Sequence, residues 1–181
     1  YKVPKNTLKS LVRITAGIPY YMKLLSGATF ACAQNEIVYP ADVNEGMLRM
    51  LNKETGINTI DTLENPGEDE LRTLYAGSKQ EIALIKGVLL ATAQVRSPIG
   101  EHPVNIGELW SEKSPLIVRT QLSRESIEPA LEKAQDMGFL QLKNEYQVEF
   151  TIPLLGESLR RRFNVLWSAI EPQLLSLVSP K

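Results

Sequence analysis

Cysteine and histidine are nearly absent from this chain of 181 residues, which has one of each, Cys32 and His102. A single cysteine excludes an internal disulfide and a cysteine metal cluster, and a single histidine excludes a multi-histidine metal site. Cys32, in the stretch GATFACAQ, reads as a small buried hydrophobe. His102, in IGEHPVN, reads as a loop residue, and the chain has no nucleophile-elbow motif to work with it. An excess of either charge is missing too. The formal net charge is -1, so no overall pull toward nucleic acid or an anionic membrane is expected. No apolar run approaches the roughly 20 residues that span a bilayer. The opening YKVPKNTLKS has no apolar signal core. These absences favour a cytoplasmic protein with no membrane partner.

What is present is helical patterning. Apolar residues make up 43% and charged residues 23%, an ordinary globular composition. KNTLKSLVRITAG places Leu8, Leu11, Val12 and Thr15 at helical spacing, with Asn6 or Thr7 as the N-cap. Gly17-Ile18-Pro19 then interrupts the pattern. Gly17 suits the position just past a helix end, and Pro19 suits the first turn of the next helix, where its missing N–H costs nothing. The triplet therefore predicts a tight corner, with a second helix from about Pro19 to Gln34 burying Tyr21, Leu24, Leu25 and Ala28. A third helix is expected after Pro40, with Asp42 in its first turn, Val43, Met47, Leu48, Met50 and Leu51 inward, and Gly56 as its stop. INTIDTLENPGEDE is a polar connector, and the acidic Glu68–Glu70 start a short helix after it.

The second half reads as three helices and a hairpin. SKQEIALIKGVLLATAQV turns Ile82, Ile85, Val88, Leu89 and Thr92 inward. A short helix follows in PVNIGELWSEK, capped by Asn105. LSRESIEPALEKAQDMG carries Ile127, Ala130, Leu131 and Ala134 on its core face, with Ser123 as cap and Gly138 as stop. FLQLK and YQVEFTI alternate apolar and polar residues around Asn144-Glu145, which is a hairpin pattern. Pro153 then opens a long helix whose stripe runs Leu155, Leu159, Phe163, Leu166, Ile170, Leu174 and Leu177. Pro172 either kinks or ends it. Three helices followed by a hairpin is the order of a winged helix-turn-helix. The expected fold is mainly α. It divides into a helical lid segment over 1–60, a connector over 61–77, a winged helix-turn-helix over 78–152 and a C-terminal helix over 153–181.

LVRITAGIPYYMKLLS resembles the helical lid of P-loop ATPases of the AAA+ and STAND groups, including initiators of the origin-recognition type, where a Gly-x-Pro corner joins two lid helices. EIVYPADVNEGMLRML resembles the next lid helix, and VEFTIPLLGESLRRRF the passage that closes many bacterial and archaeal members. The resemblance implies that Gly17, Pro19 and Tyr20 lie against the adenine of bound ATP or ADP. Initiators often carry an arginine directly after this proline; Tyr20 stands here instead, so no second-sensor arginine is assigned. The phosphate-binding pattern Gly-x-x-x-x-Gly-Lys-[Ser/Thr] is absent from the chain. The chain alone is therefore expected to bind no cofactor and catalyse nothing, the nucleotide belonging to a parent protein whose N-terminal ATPase domain is missing. The expected role is a regulatory, partner-binding region that couples nucleotide state to the winged helix.

Two alternatives stand beside it. One is a DNA-binding module on double-stranded DNA, for which Arg119, Arg124, Lys143, Arg160, Arg161 and Arg162 are the candidate contacts. Against it, residues 78–163 hold eleven Lys/Arg and eleven Asp/Glu, and phosphate neutralisation dominates duplex affinity. Arg160–Arg162 fan over about 200 degrees of helix surface, so they read as a solvated face or as partners of the acidic third helix. The other alternative is a protein-interaction module without a nucleotide link. AIEPQLLSLV at the end of the last helix is a candidate surface for it.

Overall fold

The computed structural model describes residues 1–51, 78–95 and 103–178, with the side chains of Tyr20 and Leu51 set aside. Over these residues the chain is mainly helical and carries one small three-stranded antiparallel sheet. The expected connector at 61–77, the Gly56 stop, Glu68–Glu70 and His102 lie outside the described residues. Backbone contacts divide the chain into two units. The first is Tyr1–Asn65 with Ile152–Leu154, and the second is Pro66–Thr151 with Leu155–Lys181.

The first unit contains α1 (Lys5–Ile14), α2 (Pro19–Cys32) and α3 (Pro40–Leu51). Its core is organised around α2 and α3, which cross closely enough that Gly46 of α3 faces the backbone of Ala28 and Thr29. Leu25, Thr29 and Cys32 from α2 and Val43, Gly46 and Met50 from α3 are buried. Residues before α1 run beside the approach to α3. Lys2 N donates to Glu36 O at 2.6 Å, and Val38 N donates to Lys2 O at 2.9 Å.

The inward face of α1 differs from the expected one. Leu8 and Val12 are exposed, and Thr7, Leu11 and Thr15 point inward. Threonine tolerates this burial because each hydroxyl is satisfied. Thr7 Oγ1 donates to Val38 O at 2.7 Å and Thr15 Oγ1 to Leu11 O at 2.7 Å. Asn6 and Thr7 do not cap the helix, which begins at Lys5 after Pro4. α2 stops at Cys32, two residues short of Gln34, and its Tyr21, Leu24 and Ala28 are half-buried. α3 starts as expected, with the Asp42 carboxylate accepting from Tyr39 N at 2.7 Å.

The second unit is built on α4 (Lys79–Val95). Ser78 and Glu81 form a reciprocal capping box at its start: Glu81 N donates to Ser78 Oγ and Ser78 N to Glu81 Oε2. The expected inward residues Ile82, Ile85, Val88, Leu89 and Thr92 are buried, and so are Ala83, Leu90, Ala91 and Ala93. A helix covered on all sides is a central one, and later helices pack around it. After β1 (Val104–Asn105) comes the single turn α5 (Ile106–Leu109), where Asn105 Oδ1 accepts from Gly107 N at 2.8 Å. A helix absent from the sequence expectation, α6 (Pro115–Thr120), precedes α7 (Arg124–Asp136). Gln121, with φ +57°, turns the chain between them.

Gly138, with φ +75°, ends α7. Its N–H donates to Gln135 O and the next N–H, of Phe139, to Ala134 O, the paired bonds of a Schellman turn. The hairpin β2 (Leu140–Asn144) and β3 (Gln147–Phe150) follows at once, and β1 adds to the far side, giving the order β1-β3-β2. The turn is Glu145-Tyr146, one residue later than expected, because Asn144 Oδ1 accepts from Tyr146 N at 2.9 Å and closes a side-chain turn. β2 is irregular between Leu142 and Asn144, so Lys143 sits at a bulge in the outer strand.

The long C-terminal helix is a correction. It is two helices, α8 (Pro153–Arg161) and α9 (Phe163–Leu175), broken at Arg162, whose φ and ψ are -96° and 10°. Pro172 neither ends α9 nor breaks it. Of the expected stripe, Leu155, Leu159, Phe163, Ile170 and Leu174 are buried, Leu166 is half-buried and Leu177 is exposed, and Trp167 joins the buried set with no exposed surface.

Candidate functional site

The corner between α1 and α2 is present. Its left-handed residues are two, Ala16 at φ +51° and Gly17 at φ +71°. Gly17 N donates to Val12 O at 2.8 Å and Ala16 N to Arg13 O at 3.3 Å, the two bonds of a Schellman turn. Ala16 thus takes the position just past the helix end that the sequence assigns to Gly17. An alanine there carries a cost of about 1 kcal/mol. Pro19 opens α2 as its first helical residue. Gly17 and Pro19 are exposed, so the turn presents them outward on a fixed backbone. The Tyr20 backbone lies in the first turn of α2, and its side chain is outside the description.

The six candidate cations belong to the second unit and occupy several elements. Arg160 and Arg161, at the end of α8, both bind one carboxylate. Arg160 Nη2 lies 2.6 Å and Arg161 Nε 2.9 Å from Glu157 Oε1. Their partner is on their own helix, where the sequence suggested a solvated face or pairing with α7. The Glu157 hydrogen bond raises the Arg160 pKa above its ordinary value. Arg162 is the half-buried residue at the helix break. Arg119, on α6, stacks over α9, its guanidinium carbon 5.4 Å from the Phe163 ring centre and 5.8 Å from that of Trp167. Arg124 opens α7, lies 5.7 Å from the Trp110 ring centre and pairs with Glu128 at 3.0 Å. That hydrogen bond is the first cause of its raised pKa. Lys143 lies 3.7 Å from Glu149 across the hairpin.

This arrangement weakens a phosphate-binding role. Arg124, Lys143, Arg160 and Arg161 each already face a carboxylate. An incoming phosphate would have to displace or crowd Glu128, Glu149 and Glu157. Sequence reasoning missed the aromatic seat of Arg119. Phe163 and Trp167 are i and i+4 on α9, and that spacing was the available signal.

Among the described residues, no group of His, Cys, Asp and Glu is placed to hold a metal ion, and no helix is long and apolar enough to cross a membrane. Cys32 is 8% exposed, and burial is the first cause that pushes its thiol pKa up. The unfolded thiol, lacking that burial, loses its proton at lower pH. Stability is therefore expected to fall as pH rises through the ordinary thiol range of about 8.5. A disulfide reagent at pH 8 should label Cys32 at least about tenfold more slowly in the folded chain than in denaturant. Equal rates would show that the α2–α3 core opens freely.

No family model matches this chain, and no curated protein or solved structure matches it.

Proposed function

We propose that this chain is a non-catalytic regulatory and partner-binding region of a larger P-loop ATPase of the AAA+/STAND type, and that its second unit is a winged helix-turn-helix. The observation that carries the second part is the order α4, β1, α5, α6, α7, β2, β3 with sheet order β1-β3-β2. α6 and α7 are joined by only three residues, Gln121 to Ser123, as in a helix-turn-helix. α7 passes through one glycine turn straight into the hairpin, as a third helix passes into its wing. The first part rests on the Gly17-Pro19 corner and on its outward presentation. The proposed site residues remain Gly17, Pro19 and Tyr20 toward ATP or ADP held by the parent.

The DNA-binding reading is less supported. In the winged-helix reading α7 would enter the major groove, yet it carries Glu125, Glu128, Glu132 and Asp136 against Arg124 and Lys133. A protein partner suits such a helix better. The proposed logic is mechanical. Nucleotide exchange repositions the lid helices, and the winged module changes its partner contacts.

The test has two arms. The gene segment encoding residues before Tyr1 is expected to supply the missing phosphate loop, and Pro19→Ala in that full-length protein should change nucleotide release several-fold. The chain alone should leave duplex DNA unshifted at about 50 mM salt. An upstream segment without a phosphate loop would overturn the ATPase reading. A DNA shift lost on changing Arg160, Arg161 and Arg162 to Ala would install the DNA reading in its place.

A further inference from the structure

The near-zero net charge conceals a segregation along the chain. The first 35 residues hold five Lys/Arg and no Asp/Glu, while the remainder holds fifteen Lys/Arg and twenty-one Asp/Glu. Three of the five, Lys5, Lys9 and Arg13, lie on α1 at intervals of four residues. Such spacing makes one row along the helix, with about 6 Å between successive positions. Leu8 and Val12 fall beside that row and are 48% and 42% exposed. The opposite face holds the buried Thr7 and Leu11. α1 thus has a core face and an outward face in which cations alternate with aliphatic side chains. Lys5 in the first turn also opposes the helix dipole, so folding of α1 gives no reason for it.

We infer that the outward face of α1 adsorbs to an anionic lipid surface. This goes beyond the ATPase reading and does not depend on it. Lipid headgroups offer the negative charge that Lys5, Lys9 and Arg13 complement, and the acyl boundary below them accepts Leu8 and Val12. Nucleic acid matches only the cations, since a phosphate backbone gives two exposed aliphatic side chains nothing to bury against. An acidic protein helix would need a larger apolar centre. Stable interfaces bury about 800 Å² per partner around aromatic or arginine anchors, and this face offers one leucine and one valine. Adsorption needs no spanning segment, and the apolar insertion is shallow.

The test is flotation of the full chain with vesicles. At low salt the protein should float with vesicles of phosphatidylcholine and phosphatidylserine in a three-to-one ratio, and stay behind with phosphatidylcholine alone. Lys5→Glu with Lys9→Glu should weaken binding more than about tenfold. Leu8→Ser with Val12→Ser should weaken it up to about tenfold. All four side chains are exposed, so both variants should keep the wild-type circular dichroism, and the melting temperature should move by only a few degrees, upward for the glutamates and downward for the serines. Absence of binding to anionic vesicles overturns the proposal, as does binding that charge reversal leaves unchanged. Duplex DNA or an RNA hairpin bound through Lys5 and Lys9, with no effect of the serine pair, would make nucleic acid the occupant instead.

Discussion

Trp167→Ala should remove about 3–5 kcal/mol from the second unit, a large part of the roughly 5–15 kcal/mol that holds a domain folded. Three interactions meet at this side chain. It has no exposed surface, its ring stacks on Phe163 at 5.3 Å, and its Nε1 donates to Glu171 Oε1 at 2.9 Å. Arg119 covers the same pair from outside. Truncation leaves a cavity beneath the arginine and frees a carboxylate that had a partner. Trp167→Phe keeps most of the volume and should cost about half as much. Urea unfolding followed by far-ultraviolet circular dichroism would measure both. A loss below about 1 kcal/mol for the alanine variant would show that α9 is not anchored through this residue.

Gly46→Ala should destabilise the first unit, although helix propensity points the other way. Alanine is the better helix former by about 1 kcal/mol. At Gly46, however, an added Cβ would lie 2.6 Å from Thr29 N, 2.7 Å from Thr29 Cα and 2.9 Å from Ala28 C. All three are backbone atoms of α2, and none can rotate away. Relief requires α2 and α3 to separate, at a cost of about 1–3 kcal/mol or more. Gly27 supplies the control, since a Cβ there meets nothing within 4 Å. Gly27→Ala should be neutral or stabilising by up to about 1 kcal/mol. A thermal melt in which both alanine variants rise would refute the close crossing.

The sequence was most readable where apolar side chains alone determine burial. The α4 face, the four inward residues of α7 and the Gly138 stop all follow from period and turn chemistry. Threonine in the core was read unevenly: Thr15 and Thr92 were placed in their apolar patterns, while Thr7 was read as a cap and Thr29 was not read at all. Thr7, Thr15, Thr29 and Thr92 are all buried with their hydroxyls bonded to backbone carbonyls, and a pattern that counts only apolar residues rotates α1 the wrong way. That error hid the outward face of Leu8 and Val12. Gly46 was passed over because a glycine within a helix gives no sign of what lies opposite it. The split between α8 and α9 had no breaker residue to announce it, since Arg162 is a good helix former. Among the site candidates, the Gly17-Pro19 corner was legible from chemistry fixed within three residues. The cations were legible only as a cluster, since which carboxylate each one meets depends on the folded geometry.

The bulge at Lys143 has a consequence for how this molecule behaves among its own copies. β2 is the longer of the two edge strands, and an open strand normally offers a ladder on which a stranger can grow. Here an approaching strand would find the ladder interrupted between Leu142 and Asn144, with an ammonium group at the gap. The outer edge of the hairpin can therefore stay open to solvent without seeding a fibre, while Leu140, Val148 and Phe150 stay buried on its inner face.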